Sequence, residues 1–369
     1  MNENNENLPQ TQQSSPAEIP DVTVLLSELR TLIHQARERA AYAVNAEQTL
    51  LYWNIGVRIR QDILKEERAP YGERIVSTLS AQLAMEYGRG FKRTNLLYMI
   101  QFAEVFPDRQ IVHTLSGQLA WSHFKELLPL KKPHQREFYA EMCRLEKWSV
   151  RTLRDRINGM LYERTGLAKK PADLIDQELA ALRASDQMTP DLVFRDPYLL
   201  DFLGLTEGYS EKDLESGILR DLESFLLELG GGFTFVARQK RMTIDDEDFY
   251  LDLLFYHRIL RRLVAIELKI GKFSASHKGQ MELYLRWLDR YEKAAGEEAP
   301  IGLILCSEKS PQQIELLQLD QGDIRVAQYL TEQLPSALLE RKLSEAVHRA
   351  QEQAVVAEVA EPDEADAGV

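Results

Sequence analysis

Two apolar runs, Phe249–Tyr256 and Leu263–Ile270, carry charge where a buried strand admits none without a partner. Their length and their aromatic and β-branched content are those of strands. In the second run Ile266, Leu268 and Ile270 fall on one face, while Ala265, Glu267 and Lys269 fall on the other. Asp252 adds a carboxylate from the first run, a hairpin's length away along the chain. Burying a carboxylate and an ammonium on a central strand is expensive unless they are paired or hold a ligand. Any fold of this chain must supply Asp252, Glu267 and Lys269 with partners.

The remaining sequence reads as two domains with tails. At 369 residues, with 44% hydrophobic and 28% charged residues, the chain has the profile of a soluble globular protein. No stretch has the apolar length to span a bilayer, so no membrane partner is expected. The N-terminus lacks the basic and apolar regions of a signal peptide, and Cys143 and Cys306, the only two cysteines, lie in different halves of the chain, so no CxxC zinc site or disulfide framework is expected. A cytoplasmic protein is expected. The balance of 45 basic against 58 acidic residues, a net charge of −13, argues mildly against a general nucleic-acid binder. The distribution of charge tempers this, because acids concentrate in the tail 351–369, while bases cluster at Arg89/Lys92/Arg93, Arg238/Lys240/Arg241 and Arg258/Arg261/Arg262.

Residues 1–21 are expected to be disordered, 22–168 to form a helical domain, 169–197 to be a polar linker, 198–345 to form the second domain, and 351–369 to be a disordered acidic tail. Leu25, Leu29, Leu32 and Ile33 open one amphipathic helix, and Leu51, Ile55, Ile59 and Ile63 mark another. A helix ending at Tyr87-Gly88-Arg89-Gly90-Phe91 is followed by one starting near Lys92, an arrangement like a helix-turn-helix or winged helix. Lys92, Arg93 and Asn95 at the start of the second helix are candidate nucleic-acid contacts, with Lys240 in the second domain. That domain reads αβββαβ: a helix capped by Ser210, the strand Phe233–Arg241, the two charged runs, a helix near His277, and the strand Ile301–Cys306, finished by a shorter strand Ile324–Tyr329 and a helix from Ala337. A mixed sheet flanked by helices follows, an α/β domain. His257 and His277 lack metal-ligand spacing and read as turn and capping residues.

Two carboxylates on neighbouring strands suit phosphodiester chemistry, which needs a nucleophilic water and neutralised phosphate charge. Mg²⁺, with Mn²⁺ as a substitute, prefers one or two carboxylates plus waters and phosphate oxygens. Asp252, Glu267 and the backbone carbonyl of Leu268 are the candidate ligands. Lys269, on the face of Glu267, is the candidate to orient the water.

Asp252…Glu267-Leu-Lys269 resembles the PD-(D/E)xK pattern of restriction-like nucleases, with Leu251 where proline usually precedes the aspartate. Gln280-Met-Glu-Leu-Tyr284 is similar to the QxxxY motif of the RecB-like branch. More specifically, Asp248–Lys272 and Lys278–Trp287 resemble the YhcG family of bacterial nuclease-like proteins, as do Tyr71–Arg74, Trp121–Glu126 and Trp148–Arg151 in the first domain. The resemblance covers roughly residues 22 to 345. It implies a multidomain protein: a helical N-terminal domain and a restriction-endonuclease-like C-terminal domain that cleaves nucleic acid, most simply DNA. Asp252, Glu267, Lys269, Gln280 and Tyr284 would be catalytic, and Glu215 would be the helix carboxylate completing the metal site, with Glu223 next and Glu211 a further candidate. The alternatives are a non-cleaving nucleic-acid- or protein-binding module on this fold, and a nuclease acting on RNA, since tRNA-processing enzymes share the fold. Cutting both strands of a duplex would favour a homodimer.

Overall fold

A computed structural model describes residues 22–345 apart from 66–68, 206–207, 320–321, 333–334 and 336. The expected disordered termini, 1–21 and 351–369, lie outside the described residues. The chain divides into two compact units, Met1–Trp121 and Ser122–Val369.

The first unit is built from α1 (Val22–Lys65), α2 (Ala69–Tyr87), α3 (Arg93–Val105) and α4 (Arg109–Ser116). Tyr52, Ile59, Val76, Leu96 and Met99 form its core, with Phe91, Ile100 and Trp121 packed around them. Gly56 permits the close approach of α1 to α3, because a Cβ there would lie 1.9 Å from the Met99 carbonyl oxygen. The two amphipathic segments expected over 25–63 are one helix of 44 residues. Only its second half buries an apolar face; Leu25, Leu29, Leu32 and Ile33 are each about half exposed. Between α2 and α3 a single turn of 3-10 helix, Arg89–Phe91, follows Gly88, whose φ of 89° suits glycine.

The unit boundary falls after the first residue of α5 (Trp121–Leu127), and the second unit continues with α6 (Pro133–Glu146), α7 (Val150–Asn158), α8 (Leu161–Arg164), α9 (Ala172–Ser185) and α10 (Pro190–Val193). The stretch 169–197, expected to be a linker, therefore holds a helix of 14 residues whose Ile175, Leu179 and Leu182 are buried. Arg144 ties this helix to α6 by donating to the Leu182 carbonyl at 3.0 Å and pairing with Glu141 at 2.8 Å.

The sheet follows. Its elements are β1 (Tyr198–Leu199), α11 (Glu211–Arg220), α12 (Leu222–Leu229), β2 (Phe233–Ile244), β3 (Glu247–His257), β4 (Arg262–Lys272), α13 (Ala275–Tyr291), β5 (Ile301–Glu308), α14 (Pro311–Leu316) and β6 (Ile324–Leu330). A further helix covers 337–345. The strand order is β1-β6-β5-β4-β3-β2, with β2, β3 and β4 antiparallel and the other pairs parallel. This is the expected αβββαβ order, followed by the expected shorter strand as β6, with the two-residue parallel strand β1 added at the edge beyond it.

Asp245 and Asp246, with φ of 48° and 65°, make the two-residue turn between β2 and β3. On one face of the sheet, α13 sets Met281, Tyr284 and Leu288 against Leu254, Ala265 and Ile304. Against the other, Phe225 of α12 meets Phe255, their ring centroids 6.0 Å apart. Residues 264 to 268 of β4 are therefore buried throughout, Glu267 included. The single helix expected over 211–230 breaks at Asp221, whose carboxylate accepts from Ser224 N and caps α12. At the far end of α12, Glu228, 11% exposed, stands between Arg164 and Arg195 and also accepts from Leu199 N at 2.9 Å. This cluster fastens the short helix α8 to the sheet domain.

Candidate active site

The antiparallel register that pairs Leu253 with Ile266 brings Asp252 beside Glu267 and Leu268. Asp252 Oδ2 accepts from Leu268 N at 2.8 Å, so the aspartate bonds directly to the strand that carries the glutamate. Glu267 Oε1 accepts from Lys269 Nζ at 3.0 Å and from Gln280 Nε2 at 3.0 Å. Glu267 is 4% exposed, and its Oε2 has no hydrogen-bond partner. Gln280 also donates to the Tyr284 hydroxyl at 2.7 Å, and that hydroxyl donates to the Tyr250 carbonyl at 3.4 Å. Helix α13 thus braces the glutamate through one amide held by one buried phenol. Ser274 and His277 begin this helix with a reciprocal cap, the role expected for the histidine. His257 takes the turn role, its Nδ1 accepting from Leu260 N at 3.1 Å.

Helix α11 approaches from the other side. Glu211 accepts from Ile270 N at 3.0 Å, and its second oxygen lies 4.0 Å from Lys269 Nζ. Glu215 is 8% exposed; Arg238 Nε stands 3.5 Å from its Oε1 as a loose ion pair without hydrogen-bond geometry. Gln239, on β2, donates through Nε2 to both Glu215 Oε2 and Asp252 Oδ1, 3.0 Å each.

The charges respond to this crowding. Burial, with the Asp252 charge behind it, pushes the Glu267 carboxyl up to about 7 against the partial relief from Lys269. Burial also raises Asp252, opposed by the Leu268 N–H and the Gln239 amide. Burial depresses Lys269, but Glu267, Glu211 and Asp252 together outweigh it and hold the ammonium above its ordinary value. The lysine therefore stays charged at neutral pH, beside a glutamate that burial holds well above the usual carboxylate range.

The five residues expected to be catalytic, Asp252, Glu267, Lys269, Gln280 and Tyr284, are drawn together by these bonds. Glu215 joins them through Gln239, Glu211 through Lys269, and Glu223 is exposed at the start of α12. Leu268 lies on β4 between Glu267 and Lys269, opposite Leu305 of β5. Lys240 pairs with Glu292 at 2.7 Å and lies 6.0 Å from the Trp287 ring centroid, so it is engaged with α13. Lys92 and Arg93 are exposed at the start of α3. Asn95 is half-buried and spends both ends of its amide internally, donating to the Gly90 carbonyl at 2.6 Å and accepting from Trp121 Nε1 at 2.9 Å. Gln239 is the residue that the sequence alone did not single out. Its signal was the hairpin register: counted back from the Asp245-Asp246 turn, Gln239 stands opposite Asp252.

Among the described residues, no three His, Cys, Asp or Glu side chains converge as a closed metal cage. A hard cation such as Mg²⁺ needs only one or two carboxylates, the rest being waters and substrate oxygens. Buried carboxylate oxygens without a donor, Glu267 Oε2 and Glu215 Oε1, suit that demand, and so does a carboxyl that burial and a neighbouring charge hold near 7. The donor set therefore fits a divalent cation.

Residues 28–164 match the family described as DUF1016 N-terminal domain, and residues 191–344 match the YhcG PDDEXK nuclease domain. Over 308 residues the chain is 37% identical to the Escherichia coli protein named "Putative nuclease YhcG", covering 75% of this chain and 81% of that one. The chain belongs to the YhcG nuclease family. A solved repair endonuclease from Pyrococcus abyssi is 17% identical, with a TM-score of 0.25 over 36% of this chain and 50% of its own. The cluster around Asp252 and Glu267 lies inside the matched nuclease domain, and nucleases of the PDDEXK class generally use divalent metal ions. Among the described residues, no helix is long and apolar enough to cross a membrane.

Proposed function

We propose that this YhcG-family chain is a divalent-cation-dependent endonuclease that hydrolyses phosphodiester bonds in DNA, with Mg²⁺ as its cation and Mn²⁺ as a substitute. The observation that carries the proposal is Glu267: a nearly inaccessible carboxylate with one unpartnered oxygen, beside Asp252 and 3.0 Å from a charged lysine. Burying such a group without a cation is costly, and a cation offsets the cost.

Asp252 and Glu267 would hold the cation, with the Leu268 carbonyl and Glu215 as further ligands. Such a cation would neutralise phosphate charge and acidify the attacking water. The chain's own groups do the rest. Lys269 Nζ, anchored on Glu267 Oε1, donates to the attacking water and balances the charge that develops on the phosphate. Gln280 keeps Glu267 from swinging away, and Tyr284 fixes the Gln280 amide. Leu268 N does the same for Asp252.

Residues 22–168 form the recognition part in this reading, with Lys92 and Arg93 on DNA phosphates, and 198–345 form the cutting part. Two copies would serve the two strands of a duplex. A reducing cytoplasm suits Cys143 and Cys306, both free and buried.

The test is purified protein with labelled single-stranded, duplex and branched DNA, and RNA, in Mg²⁺, Mn²⁺ or EDTA. Cleavage of DNA with either cation, none in EDTA, and none by Asp252→Asn is the expected result. Preference for RNA would reassign the substrate. Tight binding with no cleavage under any cation would make the chain a binding module.

A further inference from the structure

Gln239 stands between two carboxylates in a conformation that its side chain does not itself favour. Its backbone φ is 44°, left-handed in the middle of β2, where a non-glycine residue is strained. A register slip between Phe235 and Ala237, four to two residues earlier, marks a bulge in the same strand, a feature that re-aims side chains. The result is one Nε2 within 3.0 Å of both Glu215 Oε2 and Asp252 Oδ1. An amide –NH₂ has two hydrogens and can serve both oxygens at once; the flipped amide would set its oxygen against two carboxylates. The orientation is therefore fixed by its partners.

A neutral amide leaves the local charge uncompensated. Glu211, Glu215, Asp252 and Glu267 face Lys269 and the loosely paired Arg238, and two of the buried carboxylate oxygens still lack a donor. The amide bridges helix α11 to the strand of Asp252. A divalent cation held by these carboxylates would bring them far more charge than the amide does.

We propose that Gln239 is a displaceable clasp on the cation site: without cation its amide bridges Glu215 and Asp252, and cation entry between them breaks both bonds and turns the amide out. The inference rests on the reading of Asp252 as a cation ligand. It assigns Gln239 a positioning role and makes the measured cation affinity a competition. The chain binds its cation less tightly than its carboxylates allow, because two charge-assisted hydrogen bonds are lost on loading.

Removing the clasp without straining the strand tests this. Gln239→Gly suits the positive φ and deletes the amide; Gln239→Asn also tolerates this backbone but is one methylene too short to bridge. Mn²⁺ binding by the full chain is measured by titration calorimetry without nucleic acid, with circular dichroism as the check on folding. Both variants are expected to bind Mn²⁺ about tenfold more tightly than wild type, the effect of no longer breaking hydrogen bonds to charged groups. Unchanged or weaker binding in the folded variants would overturn the clasp, and so would absence of Mn²⁺ binding from wild type and variants alike. Failure of the nuclease reading is seen separately: a wild type that binds Mn²⁺ yet leaves DNA and RNA intact refutes cleavage, while the comparison of affinities still decides the role of Gln239.

Discussion

Replacing Glu267 with glutamine should stabilise the cation-free protein, and by an amount that depends on pH. The Glu267 carboxyl is pushed by burial and by Asp252 from an ordinary 4.5 up to about 7. A carboxyl raised on folding contributes its full share of stability below the unfolded value, and loses it as pH rises through the folded value. The unfavourable window thus opens near pH 4.5 and is complete a little above pH 7. A tenfold difference in proton affinity between folded and unfolded chains is worth about 1.4 kcal/mol, so the loss between pH 5 and pH 8 is about 2 to 3 kcal/mol. Glutamine does not titrate. Its oxygen can still accept from Lys269 and Gln280, and its –NH₂ falls where the unpartnered Oε2 now lies. In EDTA, Glu267→Gln should therefore melt higher than wild type by roughly 5 to 10 °C at pH 8 and by much less at pH 5, at about 2 to 4 °C per kcal/mol for a domain of this size. Differential scanning calorimetry across that range is the assay, with the relevant transition identified as the one that Mn²⁺ shifts in wild type. Saturating Mn²⁺ should reverse the order at pH 8. A melting difference that stays constant from pH 5 to pH 8 would rule this out, because a carboxylate destabilised by its site cannot behave as a spectator.

Lys269→Gln and Lys269→Arg should both bind substrate nearly normally yet cut at least about a hundredfold more slowly in single-turnover assays, since a planar guanidinium does not fit where a compact ammonium serves Glu267. Cleavage within a few-fold of wild type for both would remove Lys269 from the mechanism. Replacing Lys92 and Arg93 together by glutamine should weaken DNA binding and flatten its salt dependence by roughly one unit of slope per lost phosphate contact, read from binding isotherms at several salt concentrations; an unchanged slope would assign the first unit to protein contacts. Arg164→Ala leaves the nearly buried Glu228 with Arg195 as its one remaining ion-pair partner and should cost about 3 kcal/mol in denaturant unfolding, because a largely desolvated charge loses one of its two guanidinium partners. A cost below about 1 kcal/mol would mean that water reaches the cluster.

The sheet domain was legible because charge inside apolar runs is rare enough to stand out. Asp252, Glu267 and Lys269 betray their strands and their clustering together, and Ser210 marks the start of α11 by a reciprocal bond with Asp213. Elements without such a contrast were harder to read. In α9 the apolar positions Ile175, Leu179 and Leu182 are separated by Asp176, Gln177, Glu178 and alanines, and Pro171 precedes them, so the segment reads as polar connection until α6 supplies a surface for it. The first half of α1 has the periodicity of a buried helix, but Leu25, Leu29 and Leu32 remain half exposed. Periodicity fixes a face and says nothing about what covers it. Asn95 looks like a recognition residue by its position at the start of α3, yet its amide closes the turn at Gly90. Gln239 was hidden for a different reason. Residue type alone gave no contrast among Arg238, Lys240 and Arg241, and only the strand register sets it opposite Asp252.

If Asp252 and Glu267 hold the cation that makes the chain cut, cation loading and cleavage must rise together. Mn²⁺ binding, followed by electron paramagnetic resonance, and DNA cleavage can be measured in one preparation over the same cation concentrations. The half-points of the two curves should coincide for wild type, and Glu267→Ala should lose both signals together while remaining folded. Cleavage that persists in EDTA, or a folded Glu267→Ala protein that binds Mn²⁺ as wild type does, would contradict the assignment.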